Sequence, residues 1–415
     1  MTALHGKHLV CYSILLMMTR AYSHSIAPSV PSTVDTLPNA ANILHISVES
    51  IVSREDSSKS DSLILATSAD RTLSLLSTDE SHALVKRPVP TSDSPILSCI
   101  VVASRYLFTT SMSGRLVLSD LATGDIIDER RDHQKYVVKV AVMTNGDHTW
   151  IATAAWDAKV LLYQLPKLDE ENPQNIKLDA PIATLTLPSN PEAITFIQHP
   201  EIATPVLLLS RRDSTFLYYY TFASPSADSS AAPALQLLGR QNLAPHSNAW
   251  IAFTPSSFAI SPKDPLLLAV ATSAVPHMKL IIVRLLLPPP PSTAAVPSSL
   301  TQAAQARSEL ALSDREAAAI LIHATTLSPQ TPYSTPDLAW RPDASGVWVN
   351  GDDGVVRGLE AQTGKIVTTL KGGHEVGTKI RCLWGGWVEG VNGGKEEVVI
   401  SGGFDRRLVV WRTKT

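Results

Sequence analysis

The sequence predicts an all-β protein, a seven-bladed β-propeller whose ring is closed by a strand from its N-terminal side. A β-rich hairpin with Asp in its turn, and a large residue six positions after that Asp, recurs along the chain. The turn residues Asp70, Ser113 and Asp157 are spaced by 43 and 44 residues, inside the blade period of about 40–45 residues. Seven incoming strands precede these hairpins, with Gly, Asp and Ser turns between them and almost no helix, which excludes a parallel α/β sheet.

Blade one has its incoming strand at 44–51 and its turn at Asp70. Blade two follows with 96–102, the turn at Ser113 and an outgoing strand at 125–128. Blade three runs through 136–142, the turn at Asp157 with Tyr163 six positions on, and 182–187. Blade four has 193–197 and a turn at Asp213, and blade five has 257–260 with no turn Asp near Pro276 and His277. The apolar run 278–287 is broken by Lys279 and Arg284, so it reads as a buried strand rather than a membrane span.

An insertion at about 287–317 separates blades five and six. Its four prolines, Pro288 to Pro291, favour extended polyproline II, and the Ser, Thr, Ala and Gln after them favour disorder. Ser313 with Glu316 three positions on predicts a short helix over 313–320, and 319–327 can then be the outer strand of blade five. Blade six takes 338–340, the turn at Asp353 and 365–370; blade seven takes 380–384 and the turn at Asp405. The chain stops after the third strand of blade seven, so 30–36 is expected to supply the fourth and remove an exposed edge.

This pattern resembles the WD-repeat family over roughly residues 30 to 415. The resemblance implies that His374, Ser401, Asp405 and Trp411 form a hydrogen-bonded network in blade seven, preceded by Gly373. It implies the same for His133, Thr153 and Asp157 in blade three, with Tyr163 in place of Trp. A buried Asp needs donors, and imidazole, hydroxyl and indole supply them. The Trp-Asp dipeptide that closes the family's repeat is absent throughout. Segments 37–48, 210–220 and 244–250 resemble a fungal subgroup whose members commonly begin with a LisH dimerisation helix pair. No such segment is recognisable before residue 30, so homodimerisation is not carried over.

The 415 residues carry 35 basic and 38 acidic side chains, a net charge of -3, so no broad field for nucleic acid or membrane is expected. The three cysteines, Cys11, Cys99 and Cys382, lack pairing or metal-ligand spacing, and neither a metal nor a cofactor is expected. Gly372 to Lys379 nearly matches a phosphate-binding loop, but Thr378 and Lys379 are in the wrong order and a strand follows instead of a helix. No motif supports catalysis.

Binding has more support. In the WD-repeat arrangement the Asp turns and the His loops share one face. That face would carry Arg71, Arg115, Lys159, Arg211, Arg212, Arg406 and Arg407, with Trp156 and Phe404 directly before turn Asp residues. Arginines and aromatics of this kind are enriched at binding hot spots, although cations after a turn are also ordinary solvated positions. The expectation is a non-enzymatic scaffold for protein partners inside the cell, in cytoplasm or nucleus. The alternative is a propeller enzyme or lectin-like binder with a site in the central channel. That alternative would be secreted if the apolar stretch 8–18 and Ala21-Tyr22-Ser23 form a signal peptide within the 1–29 leader. The absence of any Asn-x-Ser/Thr acceptor argues against secretion.

Overall fold

Among the described residues, twenty-eight strands form seven antiparallel four-stranded sheets arranged as the blades of one ring. The computed structural model describes residues 31–52, 60–77, 84–85, 92–146, 148–165, 176–198, 205–222, 234–247, 253–290, 302–389 and 394–413. The N-terminal leader, with the signal-peptide expectation, lies outside these residues.

The first strands of the blades are Ile43–Val52, Ile96–Val102, Val137–Asn145, Pro191–Ile197, Pro255–Ile260, Leu338–Trp340 and Ile380–Glu389. Each contacts the first strand of the next blade, and the seventh contacts the first, so these strands surround a central channel. Their bounds lie close to the seven incoming strands expected from the sequence.

Alternation along each strand sends side chains into the two flanking interfaces. In Phe216–Thr221, Tyr218 and Tyr220 pack with Trp150 and Leu162 of blade three. Tyr219, between them, packs with Leu268 and Ile281 of blade five. An apolar cluster fills every one of the seven interfaces in this way. The run at 278–287 is the third strand of blade five, His277–Arg284, with Met278 and Leu280 to Val283 buried.

Pro31–Pro38 pairs antiparallel with Arg407–Thr413, from Pro31 opposite Thr413 to Pro38 opposite Arg407. The seventh blade is therefore built from both ends of the described chain, as the closure argument required. Leu37 packs against the cluster of Ile43, Val398 and Leu408 that joins blades seven and one.

The insertion departs from expectation. Its helix, α1, spans Gln302–Ala319, beginning eleven residues before Ser313 and placing that residue mid-helix. Strong helix formers, Gln302 to Ala306 and then Arg307, Glu309, Leu310 and Ala311, extend the helix upstream past the local capping signal. The helix is held to blade four by Glu316, which is buried and accepts a 2.7 Å hydrogen bond from the backbone N–H of Asn242. The prolines are not a free linker either. The carbonyl of Pro290 accepts from Arg240 N–H at 2.8 Å, which lays 288–290 along the outer strand Gln236–Asn242 of blade four. Gly239 permits this approach: a Cβ there would stand 2.2 Å from the Pro290 oxygen. The outer strand of blade five follows the helix as Ile320–Pro329.

Candidate functional site

The hairpin turns between second and third strands lie on the same face as the loops that enter each blade. In blade seven His374 leaves the entering loop and meets Asp405 in the turn, with Nδ1 at 3.0 Å and 3.1 Å from the two carboxylate oxygens. The proton therefore belongs on Nδ1, and Nε2 accepts from the Ser401 hydroxyl at 2.8 Å. Trp411 Nε1–H donates to that same Ser401 oxygen at 3.1 Å. Burial pushes the Asp405 carboxyl up, but His374 and the backbone N–H groups of Glu375 and Arg407 outweigh it and hold the group below its ordinary range.

Blade three repeats the arrangement with His133 Nδ1 at 3.1 Å from Asp157 and Nε2 at 2.9 Å from the Thr153 hydroxyl. Here burial wins, and the His133 pKa is lowered despite the carboxylate. Tyr163 stands where blade seven has its indole: its hydroxyl lies within hydrogen-bonding reach of the Thr153 side chain and donates to Asp132 at 3.1 Å, a carboxylate that also receives Arg130 Nε at 2.6 Å.

The other turns differ by the residues that reach them. Ser113 in blade two donates to Asp93 at 2.8 Å, so the loop supplies the carboxylate and the turn the hydroxyl. In blade six Asp353 accepts from Arg357 Nη1 at 3.1 Å rather than from a histidine. Gly354, after it, has φ 77°, and a Cβ there would meet the Glu375 carbonyl at 2.3 Å. Asp213 corrects the expected frame in blade four. It sits at φ 59° in the left-handed position that other blades give to the residue after the turn Asp. The polar closure there comes from Tyr218, whose hydroxyl contacts Ser214 at 2.9 Å and accepts from Arg211 at 2.8 Å.

A seven-bladed ring with inward first strands and loop-to-turn bridges on one face is thus in place. A family model described as "UCP007778, beta-propeller domain" matches residues 38–412. The chain belongs to this family. No curated protein matches it. The span matched by this β-propeller family takes in the first three strands of all seven blades except the last residue, Thr413, and it meets the closing strand Pro31–Pro38 only at its last residue.

On this β-propeller the expected basic ring is mostly engaged within the molecule. Arg115 pairs with Glu129, and Arg407 donates to Glu375 at 3.0 Å. Arg211 is committed to Tyr218, and Arg212 to Glu192 at 2.7 Å. Lys159 is half-buried, whereas Arg71 and Arg406 are exposed. Trp156 does not protrude freely: its ring lies 5.6 Å from that of Tyr136, with the Arg212 guanidinium 5.2 Å over it. Phe404 is 40% exposed.

Sequence reasoning passed over two further exposed side chains on this face. Tyr333 is 87% exposed in the loop entering blade six, and Val376 is 99% exposed in the loop entering blade seven. The signal was present, because each lies in a Pro-, Ser- or Gly-flanked loop where an apolar residue gains nothing from burial. Blades six and seven therefore present Tyr333, Val376 and Phe404, near Arg406 and the Lys379–Asp352 ion pair at 3.4 Å.

Proposed function

We propose that the protein is a non-catalytic platform, a WD-repeat-type ring that works inside the cell by presenting this face to a partner protein. The loop-to-turn chains of blades three and seven support the WD-repeat kinship. The observation that carries the reading is the exposure of Tyr333, Val376 and Phe404 on neighbouring loops of one face. Large apolar side chains left in water beside a cation are the kind of group that becomes a hot spot once a partner excludes solvent. The mechanism is rigid presentation. Homodimerisation is not part of the reading.

The test is affinity capture of the full chain from its native cells, followed by cross-linking mass spectrometry. Val376→Ser with Phe404→Ser is compared with an outer-edge control, Ile126→Ser with Val367→Ser. The expected result is a partner that cross-links near residues 333, 376 and 404 and is lost only with the first pair. Equal recovery of every partner by both variants, with unchanged thermal unfolding, would overturn the reading.

A further inference from the structure

The upper end of the central channel collects charged side chains from several blades. Six inner strands begin with the same register shift, between Ile43/His45, Ile96/Ser98, Val137/Lys139, Pro191/Ala193, Pro255/Ser257 and Ile380/Cys382. The shift aligns His45, Ser98, Lys139, Ala193, Ser257 and Cys382 in one tier around the channel. Asp337 completes it in blade six, because it accepts from Ser257 Oγ on one side and from Leu383 N–H on the other, both at 2.9 Å. Arg381 and Glu192 are the extra residues of the shifts in blades seven and four.

The acids of this tier already have partners: Glu192 holds Arg212, and Asp337 holds the two donors just named. Of the cations, Arg381 lies in the field of Asp337 and Lys139 in that of Glu192. Arg381 Nε is buried without a hydrogen-bond acceptor among the described residues. Lys139 is only half-buried, so water reaches its end of the channel. His45, between their blades, hydrogen-bonds the Cys99 carbonyl through Nε2 at 3.2 Å.

We propose that this end of the channel binds a small oxyanion, a carboxylate or a phosphate, clamped between Arg381 and Lys139. A planar guanidinium whose buried Nε–H lacks an acceptor among the described residues, and an ammonium on the opposite arc, suit an anion that accepts from both. The chain's own electrostatics are consistent with the clamp. His45 is lowered to about 4, by burial first, then by Lys139 and, less, by Arg381, so the field of both cations reaches the same ring. Burial also lowers the Arg381 pKa, with Cys382 and Asp337 pulling partly against it. The other groups facing this tier are Glu49, Glu192, Asp337, Cys99 and Cys382.

His45 is the reporter. An anion seated between the cations opposes their field, so the His45 pKa must rise on binding. The experiment is an NMR titration of His45 in the full chain at constant ionic strength, with inorganic phosphate in one arm and acetate in the other, and calorimetry alongside. We expect one saturable site and an upward His45 shift with at least one probe; the responding arm tells a phosphate from a carboxylate. Lys139→Met and Arg381→Met should each weaken binding tenfold or more, while Arg406→Ala leaves it unchanged. A His45 pKa that neither probe moves overturns the proposal on the wild-type chain alone, even if both channel variants fail to fold. Wild-type affinity in Lys139→Met overturns it as well.

Discussion

Arg341 and Glu397 are 4% and 3% exposed, as deeply placed as the valines around them. Arg341 Nε donates to both carboxylate oxygens, at 2.9 Å and 3.2 Å, Arg341 Nη2 donates to Oε2, and Trp348 Nε1–H adds a third donor at 3.1 Å. The group joins blade six to blade seven. Its polar atoms are well matched, yet two charges have left water, so the pair is costly to break and not necessarily costly to replace. Glu397→Ala should lose about 3–5 kcal/mol in urea unfolding, because a guanidinium then stays buried without its partner. Arg341→Met combined with Glu397→Met should lose far less than the sum of the two single changes. Simple additivity would show that the pair is not coupled. The pair was not legible in the sequence: Arg341 and Glu396-Glu397 sit at strand ends, where charges normally face water. The loop-to-turn networks were legible for the opposite reason, since in blades three and seven the hydroxyl residue stands four positions before the turn Asp and a large ring six after it.

At the scale of elements, strands were read to within a few residues because their alternation is dictated by two apolar interfaces. Regions whose partner lies far away in sequence were read poorly. Nothing local to Pro288–Pro290 announces that Gly239 lies ready some fifty residues earlier, and nothing in Ser313–Glu316 announces that Glu316 will cap Asn242 instead of its own helix. Burial raises the Glu316 pKa, with the Asn242 N–H pulling partly against it, which marks the contact as desolvated. The insertion therefore behaves as a strap across blades four and five. Gly239→Val places a side chain where the Pro290 carbonyl stands, so it should release the strap while the interface clusters stay intact. Trypsin should then cut at Arg307 and Arg315 at least about tenfold faster, with little change in the main thermal transition, because exposed helix opens locally before the core does. Unchanged cleavage would mean that the docked prolines do not restrain α1.

For the whole molecule the decisive contact is the one that joins its ends. Each blade touches only its neighbours, so a row of seven would carry two raw edges; the ring removes them with Pro31–Pro38. That strand pairs seven register positions with Arg407–Thr413 and lays Leu37 on the cluster shared by blades seven and one. Without it, the third strand of blade seven presents unpaired backbone groups, and the clasp between the ends reduces to the contacts of blade one with blade seven. Deleting residues 1–38 should lower the thermal midpoint by about 10 °C or more. It should also make the protein associate with rising concentration in size-exclusion runs, since an open edge templates pairing between copies. A synthetic peptide spanning 30–39, added in excess, should restore the midpoint and the full chain's elution profile by strand addition. A deleted protein that melts like the full chain would show that the seven interface clusters hold the ring without a clasp. Loss of stability that the peptide cannot reverse would place the effect in folding rather than in closure.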